Sequence, residues 1–162
     1  MDEQLKQDVL DYLATHNTMT LATVADGGQP MAATVFFANE GFTLFWLSDP
    51  KTRHSQNLQR EARLAVTVTE DYKDWRKIRG IQMEGRARVV SGLRDHARAL
   101  RVYLGKFPFV GEFIKPEGSM FKRFAHKLGN IKFYTMEGEQ LWFTDNEREF
   151  GFKGELLLKP PS

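Results

Sequence analysis

The chain is predicted to be mainly β, an antiparallel barrel of six or more strands with helical insertions. Three observations lead there. Short runs rich in Val, Thr, Phe and Trp recur with tight turn signals between them. Residues 77–90 alternate apolar and polar over a long stretch, the period of a half-buried strand. Helical periodicity is confined to a few segments between the strand candidates.

The elements follow in order. Residues 2–16 carry Leu5, Val9 and Leu13 at i, i+4, i+8, one apolar stripe of a helix. "TMTLATVAD" (18–26) and "MAATVFFAN" (31–39) read as a hairpin around "GGQP". A second turn at 39–42 leads to a third strand, "FTLFWLS" (42–48). "DPKTRHSQNL" (49–58) opens a short helix, and 63–69 is a fourth strand. Within 77–90, Ile81, Met83, Ala87 and Val89 share one face, while Gly80 and Gly85 mark a bulge or a close backbone approach. A helix is predicted over about 92–105, with Leu93, Ala97, Leu100 and Leu104 as its inner face. Residues 106–118 read as loop or broken helix, and 119–128 as a short amphipathic helix. Two last strands, 130–136 and 140–146, are expected on either side of a turn at "EGE". Turns this tight between the strands at 18–48 join only antiparallel neighbours, so a parallel βαβ sheet fits less well.

With 162 residues and no linker or repeat, one domain spanning 1–162 is expected. The 23 basic and 21 acidic residues leave a formal charge of +2, too balanced to indicate nucleic acid. No apolar run reaches the roughly 20 residues that span a bilayer, so no membrane partner is expected. The absence of cysteine removes disulfides and thiolate chemistry and fits a cytoplasmic location. His16, His96 and His126 show neither i, i+4 pairing nor an HExxH motif, so no metal site is read.

The chemistry concentrates at the strand-to-helix corner. A helix start presents unpaired N–H groups and partial positive charge. Thr52 or Asp49 can cap it, and Lys51, Arg53 and His54 add donors and cations in the first turn. Cations there oppose the helix dipole unless an anion binds, and a phosphate suits the Arg fork best. Nearby, Ala32 and Ala33 leave room for a flat ring against strand backbone, with Thr34 and Val35 following. Gln82 offers a carboxamide to a ring edge beside Gly80.

The ordered set "GFTLFWLS", "KTRHSQNLQREARLAVTV" and "IRGIQMEGRARVV" resembles the pyridoxamine 5′-phosphate oxidase-like FMN-binding split-barrel superfamily, and within it a small uncharacterised bacterial branch. The resemblance runs over roughly residues 5–153. It implies a six-stranded split barrel and a homodimer with FMN at the subunit interface. It also implies that the isoalloxazine lies along about Met31 to Phe36, and that Ser48 touches flavin or phosphate. The family's Ser-Arg-Lys motif falls on Thr52, Arg53 and His54, and ring contacts fall on Arg79, Gly80 and Gln82. The motif lysine is His54 here, and the glutamine that oxidases place before the long strand is Gly80. The oxidase C-terminal signature of Trp, Arg and Pro has no counterpart, so pyridoxamine-phosphate oxidation is not implied. Nor does the C-terminal His-containing segment of the heme-degrading branch have one. The expected function is a flavin oxidoreductase or flavin reductase-like protein acting on a small redox molecule, with NAD(P)H as reducing partner. The alternatives are a non-enzymatic flavin-binding module and an unliganded barrel that binds single-stranded nucleic acid.

Overall fold

The computed structural model describes residues 2–114 and 129–159. In chain order the elements are α1 (Glu3–Thr15), β1 (Thr18–Val24), β2 (Pro30–Phe36), β3 (Ala38–Glu40), β4 (Thr43–Ser48), α2 (Arg53–Arg60), β5 (Arg63–Thr69), β6 (Arg79–Val89), α3 (Leu93–Lys106), α4 (Val110–Ile114), β7 (Lys132–Asp145) and β8 (Lys153–Leu157). The sheet runs β2-β1-β5-β6-β7-β4-β3, with β8 on β7, and the pairings are antiparallel. The mainly β antiparallel architecture is thus the one expected, with eight strands among the described residues.

The two end strands of this order, β2 and β3, are consecutive in the chain and separated only by Phe37. A flat sheet of that order would hold them several strand spacings apart, so the sheet has to curl until its edges meet. Phe37 is fully buried at this seam, and its N–H donates to the Asn17 carbonyl at 3.0 Å. The strand expected over 31–39 is therefore two strands. The chain changes partners at Phe37, pairing with β1 before it and with β4 after it.

Alternation decides what fills the barrel. Met19 and Leu21 of β1, Val66 and Val68 of β5, Ile81 and Met83 of β6, and Leu141 and Phe143 of β7 all point inward and are buried. Leu5, Val9 and Leu13 of α1 join the same core. Gly154 admits Leu5, because a Cβ there would lie 2.6 Å from the leucine Cδ1. Asp2 caps α1 by accepting from the N–H groups of Gln4 and Leu5. At the other end of α1, the Lys106 ammonium donates to the carbonyls of Leu13 (2.9 Å) and His16 and lies 4.0 Å over the Phe37 ring. Burial pushes the pKa of this lysine down to about 8.

Three expectations need correction. The "EGE" segment is not a turn: β7 runs unbroken through it. Gly85 pairs with Gly138 and Glu84 with Gln140, which leaves Glu139 as the extra residue of a bulge. There β7 exchanges its outer partner, from β4 (132–137) to β8 (140–144). The second correction is β8 itself, formed by a tail that no strand was assigned to. The third concerns α3, whose buried residues are Ala99 and Tyr103, packed near β3 and β4. Leu93 is 92% exposed, Ala97 is exposed, and Leu100 and Leu104 are only half-buried. The helix expected over 119–128 lies outside the described residues.

Candidate functional site

The corner between β4 and α2 is built by a turn. The Asp49 carbonyl accepts from the Thr52 N–H (3.0 Å) and the Thr52 hydroxyl (2.8 Å), while the Asp49 carboxylate accepts from the Lys51 N–H (2.8 Å). Thr52, not Asp49, is the N-cap of α2, its hydroxyl oxygen facing the Ser55 N–H at 3.4 Å. The N–H groups of Arg53 and His54 then have no acceptor among the described residues. The side chains of Lys51 and Arg53 are exposed and make no hydrogen bond or ion pair there either. Two cations and two free backbone donors thus share one helix start, a set that fits a phosphate.

His54 behaves differently from its neighbours. It is only 9% exposed, and its Nε2 lies 2.8 Å from Ser48 Oγ and 3.2 Å from Thr52 Oγ1. Burial holds the imidazole pKa below its ordinary value. The ring is therefore neutral near pH 7, turned inward, and joined to Ser48 rather than offered to solvent as a cation.

Beyond the first turn, buried polar side chains tie α2 to the barrel. The Asn57 amide donates to Thr23 Oγ1 at 3.0 Å, and Arg60 donates to Asn57 Oδ1 at 2.8 Å. Asn57, Thr23 and Ser55 are all buried. Sequence reasoning passed over Ser55 and Asn57. The available signal was two polar residues one and three places after the motif, in a helix too short to solvate both.

The helix packs against β1, β2 and β6, which sets the corner beside the β2 edge. On β2, Ala32 and Thr34 face outward and are exposed, while Ala33 and Val35 are half-buried. The outward row continues through Thr34, Thr20, Thr67 and Gln82, each paired with the next. Three strand spacings place Gln82 roughly 14 Å from Thr34. The structure therefore gathers Ser48, Lys51, Thr52, Arg53 and His54 at one corner, packs α2 against β2, where Asn57 meets Met31, and leaves Gly80 and Gln82 apart within one chain. Gly80 has a packing reason of its own, since a Cβ would lie 3.3 Å from the Val68 carbonyl oxygen.

A separate polar cavity of about 370 Å³ opens beside the C-terminal turn of α1. There the Tyr12 hydroxyl donates to the Arg79 carbonyl at 2.9 Å and lies 3.0 Å from the Tyr72 hydroxyl. Burial, helped by Tyr72, drives the Tyr12 pKa upward. His16 stacks on the Tyr12 ring and meets Glu70 at 2.8 Å. Among the described residues no cluster of His, Asp and Glu is placed to hold a metal. No helix among them is long and apolar enough to cross a membrane.

Comparison with known proteins adds four findings. The family model described as pyridoxamine 5′-phosphate oxidase matches residues 5–124. UPF0306 protein YhbP of Salmonella paratyphi A is 31% identical over 144 residues, covering 88% of this chain and 86% of the relative. Among solved structures, HutZ, the heme storage protein of Vibrio cholerae, aligns with a TM-score of 0.63 at 20% identity, over 85% of this chain and 92% of that one. A heme binding protein from Mycobacterium smegmatis aligns with a TM-score of 0.67 at 15% identity, over 90% of this chain but only 56% of its own length. At such identities the structural likeness speaks for the fold alone.

Proposed function

The chain belongs to the pyridoxamine 5′-phosphate oxidase family, and on that premise we propose that it is an FMN-binding flavoprotein, an oxidoreductase or flavin reductase-like protein acting as a cytoplasmic homodimer. One observation carries the reading: the free donors of Arg53 and His54 N–H, with the unpaired Lys51 and Arg53 side chains, converge on one helix start. In this reading they hold the FMN phosphate, with Ser48 and Thr52 beside it. The ring lies over the outward face of β2, where Ala32 and Thr34 are small and exposed and the backbone at Ala33 and Val35 passes close by. Gln82 and Gly80 are too distant to serve the same ring, so they come from a second copy packed against this face.

Bound flavin supplies the electron and hydride chemistry, and the protein supplies binding and orientation. The reducing partner is NAD(P)H docking transiently, and the oxidant is a small redox molecule. The test is titration of the purified chain with FMN, followed by flavin absorbance and by light scattering for the dimer. A chain that takes up no FMN refutes the reading. Mixing the loaded protein with NADH and NADPH separates an enzyme, whose flavin is bleached, from a flavin-binding module, whose flavin is not.

A second reading, heme binding, is favoured by one observation. His96 is exposed on α3, its Nδ1 lies 2.9 Å from the Gly92 carbonyl, and Leu93 beside it is 92% exposed. That arrangement leaves Nε2 for an iron, with one exposed leucine side chain beside it for the edge of a macrocycle. Two of the structural neighbours are heme proteins by name. Titration with hemin in place of FMN decides between the readings, and His96→Ala abolishes the Soret change if this one holds.

A further inference from the structure

We propose that His54 is a positioning residue that acts through Ser48: its Nε2–H donates to Ser48 Oγ and so frees the serine hydroxyl hydrogen for a ligand phosphate at the start of α2. The proposal rests on the FMN reading and assigns to His54 a task other than direct contact with the anion.

The direction of the hydrogen bonds follows from counting hydrogens. The Thr52 hydroxyl has one, and two acceptors at 2.8 Å compete for it, the Asp49 carbonyl oxygen and Ser55 Oγ, both closer than His54 Nε2. Thr52 Oγ1 therefore turns a lone pair toward His54 Nε2, 3.2 Å away. A bare Nε2 would set lone pair against lone pair, so this nitrogen carries the hydrogen. Ser48 Oγ, 2.8 Å from the same nitrogen, then accepts. Its own hydrogen is spent on neither partner and is available at the helix start, where the N–H groups of Arg53 and His54 also lack acceptors.

Burial reinforces the arrangement. Ser48 is 7% exposed and His54 9%, so neither side chain wanders, and a neutral ring suffices for the relay. The charged groups nearest in the chain are Asp49, whose carboxylate accepts from the Lys51 N–H, and the exposed Lys51 and Arg53. Across the ladder, β7 sets Lys132 opposite Ser48. β1, β2 and β4 carry no titratable side chain, and on β6 the charged residues are Arg79, Glu84, Arg86 and Arg88. None of these hydrogen-bonds to His54. A relay through a neutral ring takes up no proton when ligand binds. A direct imidazolium–phosphate contact would take one up.

The experiment compares FMN and riboflavin affinities of the wild type, S48A, H54Q, H54L and S48A/H54L, with the ring tautomer of His54 read by ¹⁵N NMR. The relay predicts the Nε2–H tautomer in the free protein. It predicts about a tenfold loss of FMN affinity in S48A and in H54L, each without loss of riboflavin affinity, and no further loss in the double variant. H54Q, which keeps a donor at the Nε2 position, retains most of the affinity. The wild-type affinity for FMN does not climb as pH falls from about 8 to 6, where the ligand phosphate itself only loses charge. Additive losses, an Nδ1–H tautomer, or an affinity that climbs as pH falls through the histidine range would each overturn the relay. If the wild type takes up no FMN, the flavin reading falls, and the tautomer in the free protein still judges the relay. Should H54L not fold, S48A, H54Q and the tautomer carry the test.

Discussion

Gly85→Ala is a severe test of how closely β6 and β7 approach. The substitution adds one carbon, and Gly85 does not need a left-handed backbone, so any cost is steric. That carbon would sit 2.3 Å from the Glu137 carbonyl oxygen, 2.9 Å from Met136 Cε and 3.2 Å from the Glu137 carbonyl carbon. Two of these three atoms, the nearest included, are backbone, so a shift of the buried Met136 side chain cannot relieve the clash. The strands have to part at the bulge. Overpacking costs about 1–3 kcal/mol, and a strained or broken ladder hydrogen bond adds about 1 kcal/mol, so a loss of roughly 3 kcal/mol is expected. For a chain of this size that is a fall in Tm of about 6–12 °C. The assay is urea unfolding followed by circular dichroism, with the midpoint moving and the slope constant. Gly105→Ala is the internal control. It lies inside α3 with nothing within 4 Å of its added Cβ, and is expected to gain about 0.5–1 kcal/mol. A loss below about 1 kcal/mol for Gly85→Ala would refute the claimed contact between the strands.

Three further outcomes are expected. Arg53→Ala leaves the urea midpoint unchanged, because the side chain is exposed and unpaired, yet weakens FMN by about 1.5–3 kcal/mol in a fluorescence titration; equal FMN affinity would remove Arg53 from the site. Asn57→Ala strands the buried Thr23 hydroxyl and unties α2 from β1, and should cost about 1–3 kcal/mol in urea unfolding. Lys106 has a folded-state pKa depressed from 10.5 to about 8. The unfolded chain therefore holds the extra proton between those values, and stability should rise as pH increases from about 8 toward 10.5. Lys106→Met should flatten that rise, and a wild type whose stability does not climb over the window would show that the ammonium is not held out of water.

The parts of the fold that were legible in sequence are those where one face is buried and the other wet. β6 is the clearest: Ile81 and Met83 are fully buried, while Gln82 and Glu84 are exposed, as the alternation required. α1 reads equally well, because Leu5, Val9 and Leu13 sit on one stripe and all are buried. The α3 face was misjudged because the more hydrophobic stripe was taken as the inner one. What packs on β3 and β4 is decided by shape, and Ala99 and Tyr103 fill that gap. "EGE" mimicked a turn because Gly between polar residues has the same composition in a bulge as in a hairpin. Only the facing glycine, Gly85, separates the two, and it lies more than fifty residues away. At the site, Thr52 as cap and the basic first turn were legible because helix starts depend on neighbours in sequence. The inward turn of His54 was not, since it depends on Ser48 and on how deeply the corner is sunk.

Phe37 acts as the rivet of a hoop. Every other crossing between neighbouring ribbons is a hairpin or a longer excursion that can grow without changing the circumference, whereas this one residue sets how far the two rims stand apart. A single glycine inserted beside it would let the hoop gape, admitting water to the core that Phe37 shares with Leu13, Leu44 and Trp46. The same insertion between Asp26 and Gly28, at a solvent-facing bend, would pass without consequence.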